Sequence, residues 1–404
     1  MSATSRRHKL GELLRRHNEI IHPGDRTGEA VFVGLEHIEA NTGRRIGSAM
    51  IDLGKMTGRK PTFRAGQIVY GYLRPYLNKV WVAEFDGCSS VDQFAFDVRG
   101  ELACTGYIAA FMRSELFLQR AAHATTTGQL PRISVEEIAA VEIELPPLAE
   151  QERIAAVLTS ALSAVDRARQ ATDERLAAAE ALPAAYLREV FEGPDADGWE
   201  VASLNAIAAI GGGIQKTPAR APNAHHRPYL TVRNVQRGYL DLTQTERFEL
   251  TPAELERLRL QRGDILIVEG NGSVDHIGRN AVFNLDGEEW IHQNHIIRVR
   301  LDRSRAESEF VALYLNSDAG KRQMVEKARS TSGLFTLSVD KVGSLAVPIP
   351  PLAEQYRIAA ELGARLGAAE AVAARCREEV AAVSALPAAL LREAFGSTPN
   401  DSQP

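Results

Sequence analysis

The strongest constraint on the fold of this chain is an internal repeat. Residues 145–156 read LPPLAEQERIAA, and residues 349–360, which lie 204 positions later, read IPPLAEQYRIAA. The same offset aligns ALPAA at 181–185 with ALPAA at 385–389. A single offset that aligns separate stretches without a gap indicates a duplicated unit. We therefore expect the 404 residues to form two related domains and their connections.

Each repeated segment predicts a long helix. Its Pro-Pro pair disfavours helix in the residue before it, which marks a junction between a strand and a helix. From residue 149 to about residue 181 there is no Pro or Gly, and Ala, Leu, Glu, Gln and Arg dominate. A helix of about 33 residues would be roughly 50 Å long. We expect Pro183, and Pro387 in the second copy, to end it and to begin a short terminal helix.

Apolar and small side chains in these helices recur in steps of three and four residues, which predicts a narrow coiled-coil seam. The seam residues are Ile154, Leu158, Ala161, Val165, Ala168 and Leu176, and then Ile358, Leu362, Leu366, Ala369, Ala373, Cys376, Val380 and Val383. Either the two helices pack on each other, antiparallel about a pseudo-twofold axis, or each packs in its own domain. The duplication favours the first arrangement, in which the helices hold two globular blocks at a fixed distance.

The blocks that precede the helices differ in sequence but share an order of elements. Each has a short helix candidate, an apolar strand candidate, and a glycine turn before a β-rich run. These lie at 10–14, 30–35 and 65–70 in the first block, and at 204–208, 228–232 and 262–268 in the second. The predicted fold class is α/β (mixed α+β). The predicted boundaries are 1–145 and 198–348 for the blocks, 146–197 and 349–395 for the helical segments, and 396–404 for a disordered tail.

Composition and charge exclude some classes of protein but select none. The net charge of −5 is uneven: residues 1–142 and 198–346 carry +2 and +1, whereas 143–197 and 347–404 carry −6 and −2. Contact with DNA through the blocks alone is compatible with this pattern, and so are many enzymes. No apolar run approaches the about 18–20 residues that span a bilayer. Three scattered cysteines and the absence of a signal peptide argue for a reducing cytoplasm, without disulfides or zinc.

No motif for catalysis or metal binding is evident in the sequence. Residues 211–217, GGGIQKT, lack the four-residue gap of a phosphate-binding loop, so we interpret them as a turn. The histidine pairs at 225–226 and 292–295 have no Cys or carboxylate at metal-ligand spacing. Amino-methyltransferase motifs, HExxH and a nucleophile elbow do not occur. We expect neither catalysis nor a cofactor in this chain alone.

Several stretches resemble the DNA-specificity subunits of type I restriction–modification systems. The phrase LPPLAEQERI at the start of a long helix, present twice, is typical of that family. Residues 71–81, GYLRPYLNKVW, are similar to the family's loop after its Gly-Asp-Ile-Leu strand, with Gln67 at the acidic position. The second block keeps that strand at 263–266, and residues 292–295, HQNH, resemble another motif of the family.

The resemblance implies a non-catalytic subunit with two target-recognition domains, each of which reads one half of an asymmetric, bipartite site in double-stranded DNA. The two long antiparallel helices would fix the unspecified gap and dock two copies of a methyltransferase subunit, which would hold the S-adenosylmethionine. An ATP-dependent motor-nuclease subunit would join for restriction, whereas a related methylation-based phage-defence system is the alternative. The implied location is the cytoplasm, with no membrane partner.

DNA is read at base edges and held at phosphates, so polar and basic residues of the family-like loops are the candidates for contact. In the first block they are Arg74, Tyr76, Asn78, Lys79, Thr126, Thr127, Gln129 and Arg132. In the second block they are Lys216, Asn271, Ser273, Arg279, Gln293, Asn294, Thr331 and Ser332. Candidates for the subunit interface, at the helix starts, are Glu150, Gln151, Arg153, Glu354, Gln355 and Arg357.

Each set of candidates has a structural alternative. The loop at 74–79 can be a turn that packs Tyr76 and Leu77, Gln293 and Asn294 can cap a strand end, and the glutamates can cap the helices. Two other functions also stay open. A stand-alone adenine methyltransferase predicts cofactor binding by the isolated chain, and a structural adaptor predicts no salt-sensitive binding of DNA.

Overall fold

The computed structural model describes residues 6–122, 131–270, 276–328 and 336–396. The chain forms two compact units that do not follow its linear order. Unit 1 combines Met1–Glu174 with Cys376–Pro404, and unit 2 is Arg175–Arg375. Each unit therefore contains one globular block, called block 1 (1–145) and block 2 (198–348), together with the first part of one long helix and the last part of the other.

Block 1 is a mixed α+β domain. Its strands are β1 (Arg6–Lys9), β2 (Leu14–His17), β3 (Ile20–Ile21), β4 (Glu29–Val33), β5 (Ala49–Asp52), β6 (Lys60–Phe63), β7 (Ile68–Gly71), β8 (Val80–Val82), β9 (Gly87–Ser89), β10 (Gln93–Val98) and β11 (Glu142–Leu145). Its helices are α1 (Leu10–Leu13), α2 (Thr105–Met112), α3 (Glu115–Ala122) and α4 (Val135–Ala140), and the long helix α5 (Leu148–Phe191) follows. The sheets have the orders β2-β10-β7-β8 and β3-β6-β9-β4-β5, and β1 pairs with β11.

Block 2 repeats this plan. Its strands are β12 (Glu200–Ser203), β13 (Ala208–Gly212), β14 (His226–Leu230), β15 (Glu246–Glu249), β16 (Ile265–Val268), β17 (Asn280–Val282), β18 (Ile291–His292), β19 (Ile296–Leu301) and β20 (Ala346–Ile349). Its helices are α6 (Leu204–Ile207), α7 (Pro252–Leu258), α8 (Ser308–Asn316), α9 (Asp318–Ala328) and α10 (Val339–Gly343), and the long helix α11 (Leu352–Phe395) follows. The sheets have the orders β13-β19-β16-β17 and β15-β14-β18, and β12 pairs with β20.

The four-stranded sheets of the two blocks have the same strand order, which confirms the shared order predicted from the sequence. Strand β16 reads ILIV and is buried throughout, as expected of a strand that is covered on both faces. In block 1, Ile68 and Tyr70 of β7 share a core with Ile108 and Phe111 of α2. The equivalent core of block 2 joins β16 to α8. The short helices α1 and α6 also lie where the sequence predicts them.

Both long helices continue through their prolines, so the predicted break at Pro183 and Pro387 is wrong. Each helix has 44 residues and is thus roughly 66 Å long. A proline inside a helix removes one backbone hydrogen bond and crowds the preceding turn, at a cost of about 3 kcal/mol. The residues beyond each proline are held by packing. Phe191 lies 5.5 Å from Phe310 in unit 2, and Phe395 lies 5.1 Å from Tyr107 in unit 1.

Buried positions in the long helices recur every seven residues, which is typical of a coiled coil. They include Leu158, Val165, Thr172 and Ala179 in α5, whereas the predicted seam residue Ala168 is exposed. Within unit 1, the start of α5 shares a core with the end of α11. Within unit 2, the start of α11 shares a core with the end of α5. The helix segments in each unit are therefore antiparallel, as the duplication predicts. No helix in the described ranges is long and apolar enough to cross a membrane.

Candidate nucleic-acid interface

The structure brings two separate candidate segments of block 1 together. The loop after β7 meets the segment that begins at Pro131 through an antiparallel bridge between Leu73 and Arg132. The backbone N–H of Arg74 donates to the carbonyl of Pro131 at 2.8 Å, and that of Ile133 donates to the carbonyl of Tyr72 at 3.2 Å. Arg132 is exposed beside this bridge. Three other candidates, Thr126, Thr127 and Gln129, lie outside the described residues.

The loop of block 1 contains a tight turn with strained ends. Arg74 and Asn78 have φ values of 54° and 44°, a left-handed conformation that costs side-chain-bearing residues free energy. Between them, Pro75–Leu77 forms one 3-10 turn. Arg74 is exposed, and the side chain of Tyr76 is 59% exposed. Tyr76 is therefore not packed against the block, and both side chains are available to a ligand.

Asn78 and Lys79 hold this turn in place. Asn78 is 1% exposed, and its Nδ2 donates to the carbonyl of Arg113 at 2.9 Å. The ammonium group of Lys79 donates to the carbonyl of Leu35. In this conformation the buried side chain of Asn78 supports the turn from within and is not presented to a ligand. The sequence pattern placed these residues in the correct loop but could not show which way each side chain points.

Block 2 has the same arrangement at its equivalent loops. Gly270 bridges Thr336, and the backbone N–H of Leu337 donates to the carbonyl of Glu269. Arg279 occupies the place of Lys79, and its Nη2 donates to the carbonyl of Val232 at 3.0 Å. This half-buried arginine therefore supports the loop. The remaining candidates of these loops, which lie outside the described residues, are Asn271, Ser273, Thr331 and Ser332.

The other candidates of block 2 have partners within the protein. The ammonium group of Lys216 forms an exposed ion pair with Glu246. The backbone N–H groups of Gln293 and Asn294 donate to the carbonyls of Leu230 and Ile214, and Gln293 Oε1 accepts from the N–H of Val232 at 3.3 Å. Gln293 and Asn294 thus cap a strand end, which is the structural alternative for this motif.

Two equivalent backbone positions in the blocks carry different chemistry. The N–H of Tyr72 donates to the carbonyl of Asp92 at 3.0 Å, and at the same place in block 2 the N–H of Glu269 donates to the carbonyl of His295 at 2.9 Å. Burial, and then the charge of Asp92, raises the pKa of Tyr72. His295 Nδ1 lies 3.0 Å from Glu269 Oε2. These residues flank the candidate loops. Tyr72 and His295 lie within the family-like stretches 71–81 and 292–295 but were not chosen as candidates, because the sequence does not show which side chains of a motif face a ligand.

The helix starts divide into buried and exposed candidates. Gln151 Oε1 accepts from the N–H of Cys104 at 3.0 Å, and Gln355 Oε1 accepts from the N–H of Glu307 at 2.8 Å. Both glutamine side chains also donate to two carbonyls, and they are 1% and 0% exposed. Each glutamine therefore fastens a helix start to its own block and is not presented to a partner in this conformation.

The Glu-Arg pairs at the helix starts remain accessible. Glu150 and Arg153 lie 2.7 Å apart, and the repeated pair, Glu354 and Arg357, has the same separation. The guanidinium of Arg153 lowers the pKa of Glu150, and Arg357 has the same effect on Glu354. Both arginines are more than half exposed, so each helix start presents the same charged pair to solvent.

Two blocks of one fold, each with a site built from two bridged loops and each followed by the same long helix, define a duplicated, two-site class of protein. Residues 196–364 match the family model described as Type I restriction modification DNA specificity domain. Residues 196–364, which contain block 2 and the start of α11, are therefore similar to that DNA-specificity domain.

Curated relatives extend the similarity beyond residues 196–364. The chain is 24% identical over 307 residues to the type I restriction enzyme EcoKI specificity subunit of Escherichia coli K12, and this match covers 73% of the chain and 66% of that relative. It is 28% identical to the EcoDI specificity subunit of Escherichia coli over 44% of the chain and 39% of the relative. The chain thus spans less than two thirds of the length of these curated relatives.

Two solved structures share the fold over almost the whole chain. One is a chain from a study of complex assembly and conformational transition of the type I R-M system, with a TM-score of 0.77 and 21% identity. The other is the HsdS subunit from Thermoanaerobacter tengcongensis, with a TM-score of 0.64 and 21% identity. Each match covers 97% of both chains, so the whole two-unit fold is common to them.

Proposed function

We propose that this chain is the DNA-specificity subunit of a type I restriction–modification complex and that each block reads one half of an asymmetric, bipartite site. The observation that carries the proposal is the duplicated loop site. The bridges Leu73–Arg132 and Gly270–Thr336 build the same backbone frame in both blocks. A conserved frame with different side chains is what two readers of different sequences require, because base edges are distinguished by side-chain donors and acceptors.

The side chains on the two frames support different half-sites. Block 1 presents exposed Arg74 and Tyr76, and arginine is the preferred partner of guanine in the major groove. Block 2 presents Glu269 and His295 where block 1 has Tyr72 and Asp92. An acidic side chain accepts from cytosine and suits no phosphate, so the two blocks differ in the bases that they favour.

The duplicated helix starts support docking of two copies of one partner. Exposed residues that are identical in both copies are Pro147, Ala149, Arg153 and Ala156, repeated as Pro351, Ala353, Arg357 and Ala360. The same surface presented twice fits two copies of the same protein. We assign it to a methyltransferase subunit that holds the S-adenosylmethionine, so that this chain supplies specificity and no catalysis. Such a complex would act in the cytoplasm, on the chromosome and on entering DNA.

Selection of bound duplexes from a random pool tests the reading of DNA. The chain, purified with its partner subunits, should enrich one motif of two short fixed segments separated by an unspecified gap. Substitution of Arg74 and Tyr76 by Ala should relax the first segment and leave the second unchanged, because these side chains belong to block 1 alone. Enrichment of no motif, or of one continuous motif, would refute the bipartite proposal.

Charge reversal tests the docking surface. Arg153→Glu should remove one bound methyltransferase, Arg357→Glu the other, and the double substitution both, as measured by native mass spectrometry. Arg167→Glu is the matched control, because Arg167 is exposed on the same helix and position 371 of the repeat is alanine. If the control also removes a partner, the Glu-Arg pairs are not the docking surface. An ATPase that copurifies would identify a motor-nuclease partner, and its absence would favour a methylation-based defence system.

A further inference from the structure

Block 1 has a surface patch of exposed arginines that form no ion pair with the residues that the structure describes. The arginine patch consists of three arginines around an aromatic pair: Arg16, Arg59 and Arg132, with Tyr72 and Phe94. All three arginines are exposed. Within the described parts of the chain none of them pairs with a carboxylate. The adjacent Arg15, by contrast, forms an ion pair with Asp97 at 3.6 Å.

The aromatic pair fixes the position of one guanidinium and links the patch to the candidate loop. Arg16 lies over the ring of Phe94, 4.7 Å from its centre, and Phe94 stacks on Tyr72 at 4.4 Å with an angle of 24° between the rings. An arginine stacked on an aromatic ring keeps its donors free for a ligand. The charges of Arg132, Arg16 and Arg59 act on Tyr72 to lower its pKa, against the larger effect of burial. Arg16 is thus joined to Tyr72 through Phe94, and Arg132 lies on the bridge beside Tyr72.

Block 2 has no such patch among its described residues. The strand register places Ile210 and Ile297 where block 1 has Arg16 and Phe94. Glu269 and Thr336 take the places of Tyr72 and Arg132. Three arginines of block 2 with partly exposed side chains form ion pairs with carboxylates. These pairs are Arg227 with Glu289, Arg247 with Glu288, and Arg262 with Asp286.

We propose that the arginine patch binds the phosphodiester backbone of duplex DNA and makes block 1 the electrostatic anchor of the chain. Block 2 reads its half-site with little salt-dependent affinity. Free guanidinium groups bind phosphates in a bidentate manner and release the counterions condensed on DNA. An arginine that is paired with a carboxylate must break that ion pair before it binds a phosphate. It therefore contributes less to the affinity for DNA and to its salt dependence. The proposal rests on the DNA-reading function, since it concerns how that binding is divided between the blocks.

Salt titration of DNA binding tests the division. The full chain is titrated with a fluorescent duplex of random sequence between about 50 and 200 mM salt, and the slope of log K against log salt is measured. The triple variant Arg16→Gln, Arg59→Gln, Arg132→Gln should reduce the magnitude of the slope by about 2 to 3, because each phosphate contact contributes about 0.9. The variant Arg227→Gln, Arg247→Gln, Arg262→Gln removes the same charge and should change it by less than about 1.

The possible results distinguish failure of the arginine patch as an anchor from failure of the DNA-reading function. Equal changes of slope in the two triple variants would overturn it, because total charge rather than the patch would then govern affinity. An unchanged slope in the first variant would also overturn it. The single variant Arg16→Gln, expected to reduce the slope by about 0.9, serves if the triple variant does not fold. A wild-type chain that binds no duplex at low salt would instead refute the DNA-reading function itself.

Discussion

Arg169, on the long helix α5, lies 3.3 Å from Glu39 of block 1, between Arg169 Nη1 and Glu39 Oε1. Glu39 also pairs with Arg44 at 3.0 Å, and the backbone N–H of Asn41 donates to the carbonyl of Leu77 at 3.2 Å. The helix is thus connected through residues 39–44 to the turn that presents Arg74 and Tyr76. The equivalent of Arg169 in α11 is Ala373, so this connection belongs to block 1 alone.

Arg169→Ala should weaken recognition of the first half-site. The ion pair is partly exposed and contributes up to about 1 kcal/mol, which corresponds to at most about fivefold in affinity. Binding is measured on duplexes that carry the selected site with either half randomised. Arg167→Ala, on the same helix, should have no effect. An equal loss of affinity for both half-sites would show that Arg169 acts on the whole chain and not through Glu39.

Gln151→Ala and Gln355→Ala should each destabilise the unit that contains them. Each substitution removes three hydrogen bonds made by a buried side chain to one backbone N–H group and two carbonyls, at a cost of about 2 kcal/mol. Urea unfolding of the variants should show a lower midpoint, whereas Arg153→Ala should stay within about 0.5 kcal/mol of the wild type. If Gln151→Ala unfolds normally but fails to bind the methyltransferase, the glutamine contacts the partner after all.

Asn78→Gly should be tolerated better than Asn78→Ala. Asn78 has a φ of 44°, and the equivalent residue of block 2 is Gly278 with a φ of 64°. Alanine at this position would add about 1 kcal/mol of left-handed strain to the loss of the side-chain hydrogen bond, whereas glycine avoids the strain. Thermal unfolding measures the difference. Unfolding temperatures in which alanine equals or exceeds glycine would contradict the structural role of Asn78.

Block 2 should lose stability in mild acid because of His292. Burial, and then the charge of Arg298, lowers the pKa of His292 to about 4, whereas an unfolded histidine has a pKa of about 6.5. The unfolded state therefore binds more protons between these values, so the stabilisation is complete above about pH 6.5 and is lost as the pH falls towards 4. At pH 5 the loss is about 2 kcal/mol. Urea midpoints at about pH 7 and 5 should shift more for the wild type than for His292→Gln, and equal shifts would exclude this histidine as the cause.

The architecture was predictable because duplication, proline pairs and heptad-like spacing are patterns that can be recognised in the sequence alone. The continuation of the helices through Pro183 was not, because it depends on Phe191 packing against Phe310, a contact between residues far apart in the chain. Gln67 is a similar case. Its Nε2 donates to Asp97, whereas in block 2 the equivalent Asp264 accepts from Arg300, so the acidic member of the pair stands at opposite positions in the two blocks.

The candidate site was predictable only as a set of loops. The family-like motifs located the segments around Arg74 and Arg132, and the structure joins them through one bridge. Which residues of a loop are accessible to a ligand depends on the direction of each side chain, which the sequence does not show. Tyr76 is exposed, whereas Asn78, two residues later, is buried. Arg16 lies on a different strand and approaches the site only through Phe94, a proximity that no local pattern records.

Two independent readers on one chain should define one bipartite DNA motif. Mapping of N6-methyladenine across the genome of the organism that carries the gene tests it most directly, in three strains. These strains carry the gene, lack it, or encode a chain in which residues 198–348 are replaced by the block of a relative. We predict that one bipartite methylated motif disappears on deletion and that the replacement changes one half of the motif only. Persistence of every methylated motif on deletion, or a change in both halves on replacement, would contradict the account.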